Sequence, residues 1–283
     1  MTEQSEIIVL FDEFGTPSFQ DNSTNNFFVG VCTIYELSKE QEIFNAVDSL
    51  MGLSKTNPLK NNRITKNRAR NISQIACTQP IEITAFYIDL QVQELHETTN
   101  LYMQFSDIER RLARGITKER KEAHFFHSQL LNGCLSYILI SFIMKRKENF
   151  NFQIFIDDWT YPEPDRIIAL EDSTKFLKNR IYQNIIDDLK LNISINIENI
   201  MLLTDANSKR KRFIDVLTTV CSRSFLDESN PKYDREPLNI LSTGLRDRFM
   251  VQSDTAEMIN FMKNMIDYCI KKTKSVDAKL III

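Results

Sequence analysis

Two short strand-like runs end abruptly on paired acids. Ile7-Ile8-Val9-Leu10-Phe11 runs into Asp12-Glu13, and Phe152-Gln153-Ile154-Phe155-Ile156 runs into Asp157-Asp158. The first is apolar at every position and largely β-branched, the pattern of a strand buried on both faces rather than of an alternating surface strand. A carboxylate is costly inside a core, so a buried strand that runs straight into one ends at a surface or at a site. This pattern constrains the chain more than any other: it needs a covered sheet with acidic groups gathered at strand ends.

The rest of the sequence fits such a sheet. Phe27 to Tyr35 reads as a second strand, close enough to the first for an antiparallel hairpin with a long loop. Ser38 with Gln41 reads as a capping box opening a helix to about Leu50. Ile81 to Leu90 is a third strand, and residues 91–147 are helical in two or three pieces. The run at 152–156 is a fourth strand, Pro162 and Pro164 open a helical stretch to about Leu189, and Ile193 to Leu203 is a fifth strand region. Lys209 to Phe225 is an amphipathic helix, followed by a loop bounded by Pro231 and Pro237 and a final helix near Thr255 to Lys272. Strands alternating with helices imply a mixed sheet with covered faces, an α/β fold.

With 283 residues, 42% hydrophobic and 26% charged, the chain excludes a disordered tail, a fibre or a disulfide miniprotein, and 6 glycines supply no flexible linker. Its five cysteines show no CxxC spacing and do not pair with His96, His124 or His127 at ligand spacing. They read as small buried hydrophobes in a reducing compartment, and zinc is not expected. The N-terminus has neither a positive nor an apolar leader segment, and the greasiest stretch, Leu130 to Met144, is short of a membrane span. Cytoplasm is the expected location. The Tyr137–Met144 surface leaves two readings open, internal packing or contact with a second copy of the chain.

Net charge is −3, but between Ser49 and Ile81 there is no acid, and Lys55, Lys60, Arg63, Lys66, Arg68 and Arg70 lie there. That window carries +6 and the remainder −9. A polyanion feels local potential rather than net charge, so the window is either a nucleic-acid contact or a solvated loop.

In an open α/β sheet ligands collect beyond strand ends, where helix N-termini also point. Asp12, Glu13, Asp157 and Asp158 are the strand-end acids, and Asp215 lies in the helix after the fifth strand, with Asp205 upstream. Taken singly, each has an ordinary reading as a turn residue, a helix cap or a solvated helix position. Gathered together they would repel unless a cation neutralised them, and hard oxygen ligands select Mg²⁺ or Mn²⁺. Two such ions ~4 Å apart serve in-line phosphodiester hydrolysis. Strand alternation keeps Asp12 and Glu13 from reaching one ion together, which favours Asp12 and Asp157 as ligands. Ser208 with Lys209 could position a phosphate, or open a solvated helix. His124 and His127 could assist proton transfer, or pack. Trp159 and Tyr161 could stack on a base, or cover the sheet edge.

The order of these segments resembles the domain-of-unknown-function 3800 family. Ile-Ile-Val-Leu-Phe-Asp12-Glu13-Phe14-Gly15 followed by Phe27-Phe28-Val29-Gly30-Val31 is similar to its opening strand, its Asp-Glu-Ser-Gly and its aromatic-rich second strand, with Phe14 in place of Ser. Leu59-Lys60 resembles a Glu-Leu-Lys segment without its Glu. Ile154-Phe155-Ile156-Asp157 resembles the strand ending in Asp, and Asp205 to Lys209 with Ile214-Asp215 resembles the closing Asp-Ser-Lys and Ala-Asp. The likeness covers roughly residues 6–225. It implies a ribonuclease H-like mixed five-stranded sheet over about 1–225, with a helical insertion at about 91–150 and a C-terminal helical extension at 226–283. It also implies an association with mobile elements or antiphage defence, including a partner protein of such a system.

Residues and resemblance together lead to the expectation of a metal-dependent nuclease acting on RNA or DNA. Asp12, Asp157 and Asp215 would bind Mg²⁺ or Mn²⁺, with Glu13 a further ligand or base. Lys60 and Arg63 would hold the nucleic-acid backbone, Ser208 would position a phosphate, and Lys209 would neutralise developing charge. The rivals are a non-catalytic ribonuclease H-like scaffold subunit that binds nucleic acid or a partner protein, and an enzyme acting on a small phosphate compound.

Overall fold

The structure, a computed structural model, describes residues 4–15, 27–55, 63–105, 133–157, 165–183, 189–204, 208–226 and 228–253, together with 255, 256, 259, 260, 262–264, 266 and 267. Seven strands form one mixed sheet, β1 (Ser5–Phe14), β2 (Phe27–Glu36), β3 (Glu82–Asp89), β4 (Phe150–Ile156), β5 (Ile195–Ile197), β6 (Met201–Leu202) and β7 (Phe249–Ser253). Their order is β5-β4-β1-β2-β3-β7, with β6 also on β4. β1, β2 and β3 form an antiparallel meander, while β4 runs parallel to β1, β5 and β6 parallel to β4, and β7 parallel to β3.

The helices are α1 (Glu40–Met51), α2 (Lys66–Cys77), α3 (Gln93–Phe105), α4 over 133–146, α5 (Asp165–Ile181), α6 (Ser208–Ser222) and α7 (Glu236–Leu245). They cover both faces. On one, Ile7, Val9 and Phe11 of β1 meet Leu95 of α3, Leu139 and Ile143 of α4, Leu177 of α5 and Ile259 and Met262 near the C-terminus. On the other, Ile8 and Leu10 meet Val47 of α1, Ile72 of α2, Ile214 and Leu217 of α6 and Leu241 of α7. This two-sided cover is why Ile7 to Leu10 are all 0% exposed and why β1 carries no alternation.

Two glycines make the end of β1 feasible. Gly15 has φ +100, and a Cβ there would stand 2.6 Å from the Phe27 carbonyl oxygen. Gly30, opposite Glu13 in the β1–β2 register, lies under the Phe11 ring, which a Cβ would meet at 2.9 Å.

Four expectations change. The sheet has seven strands rather than five, because the region from Ile193 to Leu203 divides into β5 and β6 and β7 is added near the C-terminus. The Glu198 amide still donates to the Phe152 carbonyl, but the Ile200 amide turns away to the Thr174 hydroxyl, breaking the ladder. The C-terminal segment is not purely helical, since β7 joins the sheet edge beside β3. The capping box is absent, because Ser38 sits inside a 3-10 turn (Leu37–Lys39), α1 begins at Glu40 and Lys39 caps it with no side-chain hydrogen bond. The basic window is not one loop either, since its second half is α2, capped by the Thr65 hydroxyl accepting from the Arg68 amide at 3.2 Å.

The α/β architecture and the burial of most cysteines are as expected among the described residues. Cys32, Cys134 and Cys221 are buried and Cys77 half-buried, all as free thiols. Most of α4 packs inward, although Tyr137 is 44% exposed. Among the described residues no helix is long and apolar enough to cross a membrane. Lys60, His124, His127, Asp158, Trp159, Tyr161, Asp205 and Cys269 lie outside the described residues.

Candidate metal centre

The β1–β4 register brings the two strand ends together. Phe11 pairs with Ile156, and the Asp157 amide donates to the Phe11 carbonyl at 3.1 Å. Asp12 and Asp157 each stand one residue beyond that pair. Alternation puts Asp12 on the face of Ile8 and Leu10, and Asp157 on the face of Phe155. That face is covered by α6, which carries Asp215. Ligand oxygens of Asp12, Asp157 and Asp215 lie within 4.8 Å of one another.

Elements from both sides hold α6 in place. Phe213, Ile214, Val216 and Leu217 bury its inner face. Arg210 grips Glu40 of α1 through two bonds of 2.7 and 3.1 Å, and its guanidinium lies 4.4 Å over the Phe155 ring. Arg212 donates to the carbonyls of Leu53 and Lys55 just beyond α1. Between these two arginines Lys211 points elsewhere, its Nζ 3.0 Å from Asp157 Oδ1.

The electrostatics are those of crowded acids. Asp12 is 6% exposed. Burial, and then the charges of Glu13, Asp215 and Asp157, hold its carboxyl well above the usual range, and the Thr218 hydroxyl opposes them. Asp215 is pushed up to about 7 by burial and by Asp157 and Glu13, with Lys211 pulling the other way. Like charges this close stay ionised together only when a cation joins them. All donors are carboxylate oxygens within 4.8 Å of one another, a group that could hold one hard metal ion.

The expected site residues divide by place. Asp12, Asp157 and Asp215 come together. Glu13 is half-buried, on the opposite side of β1 by alternation and outside the trio, yet its charge raises both Asp12 and Asp215. Ser208 opens α6 half-buried, and Lys209 is exposed. Arg63 is exposed just before α2, on a segment tied down where Arg223 donates to the Ile64 carbonyl.

Other members of the basic window serve the fold. Arg68 donates to the Leu50 carbonyl at 2.9 Å, and Arg70 pairs with Asp234 through bonds of 3.0 and 3.1 Å. Lys211 is the residue that sequence reasoning passed over in favour of Lys209. Its signal was the spacing to Asp215, four residues on, which places both on one helical face.

No protein-family model matches the chain, and no curated protein matches it.

Proposed function

We propose that the chain is a metal-dependent nuclease with a ribonuclease H-like fold, cleaving phosphodiester bonds of RNA or DNA with Mg²⁺ or Mn²⁺. The observation that carries this reading is the meeting of Asp12, Asp157 and Asp215, from two parallel strand ends and one covering helix, within 4.8 Å. The order β3-β2-β1-β4-β5, an antiparallel meander with two parallel strands beside its first member, supports the fold assignment. The resemblance to the domain-of-unknown-function 3800 family supports it too, and with it a place in antiphage defence or a mobile element.

In this reading Asp12, Asp157 and Asp215 hold the ion and fix its position against the strand ends. When bound, the ion supplies an activated water and offsets charge on the leaving oxygen. Glu13, on the other side of β1 and outside the trio, acts in this reading through its charge on Asp12 and Asp215 rather than as a ligand. Arg63 and the exposed Lys209 contribute positive potential for the nucleic-acid backbone.

The test is cleavage of single-stranded and duplex oligonucleotides of RNA and DNA, with Mg²⁺, with Mn²⁺ and with a chelator. Ion-dependent cleavage that disappears in Asp12→Asn supports the reading, and cleavage unchanged in that variant overturns it. The scaffold reading has one observation in its favour, the Lys211 ammonium already paired with Asp157 in the trio. A scaffold would bind oligonucleotides with neither ion uptake nor cleavage.

A further inference from the structure

The turn of α6 that carries Asp215 also sends an ammonium into the acidic trio. We propose that Lys211 is the resident counter-cation of this site: it holds Asp157 in the ion-free protein, competes with an entering divalent cation for that carboxylate, and thereby sets the metal affinity. The inference rests on the metal-centre reading above.

The chain's own ion pairs give the contrast. In Arg70–Asp234 and Arg210–Glu40 the cation is an arginine held by two bonds. A planar fork matched to a carboxylate holds one geometry. At the trio the cation is a lysine, its Nζ 3.0 Å from Asp157 Oδ1. An ammonium on a four-carbon stem is a mobile point charge, able to leave that oxygen without disturbing the helix that carries it.

The helix itself is fixed on either side, by Arg210 to Glu40 and by Arg212 to the carbonyls of Leu53 and Lys55. Exchange at Asp157 therefore needs only the side chain of Lys211 to move. With an ion bound and all three carboxylates ionised, the acids outnumber the one ammonium, so the site still favours a divalent cation. The ammonium makes that attraction weaker than the acids alone would give.

The test titrates Mg²⁺ and Mn²⁺ into the full chain by calorimetry, comparing wild type, Lys211→Gln, Lys211→Arg and the surface control Lys39→Gln, with melting temperatures in chelator alongside. Removing a unit charge this close to the ion should tighten Mg²⁺ binding of Lys211→Gln by about tenfold or more. The same variant should melt lower than wild type without metal, and Lys39→Gln should match wild type in both. Lys211→Arg, with its more rigid grip, should bind Mg²⁺ more weakly than wild type. A folded Lys211→Gln with unchanged or weaker Mg²⁺ affinity would overturn the proposal. Should Lys211→Gln not fold, Mg²⁺ binding by Lys211→Arg as tight as wild type or tighter would do the same. If wild type and Lys211→Gln both bind Mg²⁺ with one affinity, only the role of Lys211 fails; if neither binds it at all, the metal centre fails with it.

Discussion

Asp12 and Asp157 stand one step beyond the last paired residues of two adjacent parallel strands, and the Asp157 amide reaches back 3.1 Å to the Phe11 carbonyl. The same hydrogen bond that closes the β1–β4 ladder therefore sets the spacing of two carboxylates. Backbone pairing, rather than side-chain packing, aligns this half of the site, and α6 then lays Asp215 across it.

Crowding of this kind makes the ion-free site unfavourable. Replacing Asp12 with Asn removes a buried carboxyl whose ionisation burial and three acidic neighbours oppose. The ion-free variant should melt about 2–4 °C above wild type, the scale of about 1 kcal/mol in a chain of this size. It should also lose the upward shift that Mg²⁺ gives wild type. Thermal melts in chelator and in Mg²⁺ measure both effects.

The pH dependence has a definite sign. Asp215 ionises near 3.8 when unfolded and at about 7 in the fold. Between those values the folded state binds more protons, so its stability falls as pH rises from about 4 to about 7. Melting temperatures in chelator should decline across that window at the site's expense, and Asp215→Asn should flatten the decline. Mg²⁺, which binds the ionised form, should reverse it.

Asp234 responds in the opposite sense. Burial alone would raise its carboxyl, but hydrogen bonds from Arg70 and from the Glu236 amide outweigh burial and hold it below the ordinary range. Its contribution is present above the unfolded value, about pH 4, and is lost as pH falls through the lower folded value. Urea midpoints of wild type should therefore drop below that pH more steeply than those of Arg70→Gln, which should start lower at neutral pH.

Gly30 offers a test of the strand-end geometry from the far side of β1. A side chain there meets the Phe11 ring, whose own backbone carbonyl receives the Asp157 amide. Gly30→Val should cost about 1–3 kcal/mol, the usual range for overpacking a filled core. Because the displaced strand carries Asp12, Mg²⁺ affinity should fall as well. Denaturant unfolding and calorimetry on the same preparation report the two losses.

What the sequence disclosed follows from which forces are local. The continuous burial of β1 and the arrest of β4 before Asp157 were legible because each is written in a few consecutive residues. In its pairing with β2, by contrast, β1 runs on through Asp12 and Glu13 to Phe14. The meeting of Asp12 with Asp157 followed from one rule about strand ends, and Asp215 joins them from within α6. The partners of the basic residues were not legible, since Arg70 meets Asp234 across 164 positions and Arg210 meets Glu40 across 170. A run such as Lys209-Arg210-Lys211-Arg212 looks uniform until helix phase sorts it, sending Arg210 to α1, Arg212 to the chain beyond it and Lys211 to the site. β7 escaped notice because it is a five-residue edge strand with Val251 exposed, too short for its alternation to stand out.

A crystal soaked in Mn²⁺ and measured for anomalous scattering examines the meeting of the three acids without reference to any substrate. The expected result is a manganese peak with oxygens of Asp12, Asp157 and Asp215 about 2.1–2.2 Å away, and Lys211 Nζ withdrawn from Asp157. Millimolar Mn²⁺ leaving no peak among these carboxylates, with Lys211 still seated on Asp157, would contradict it.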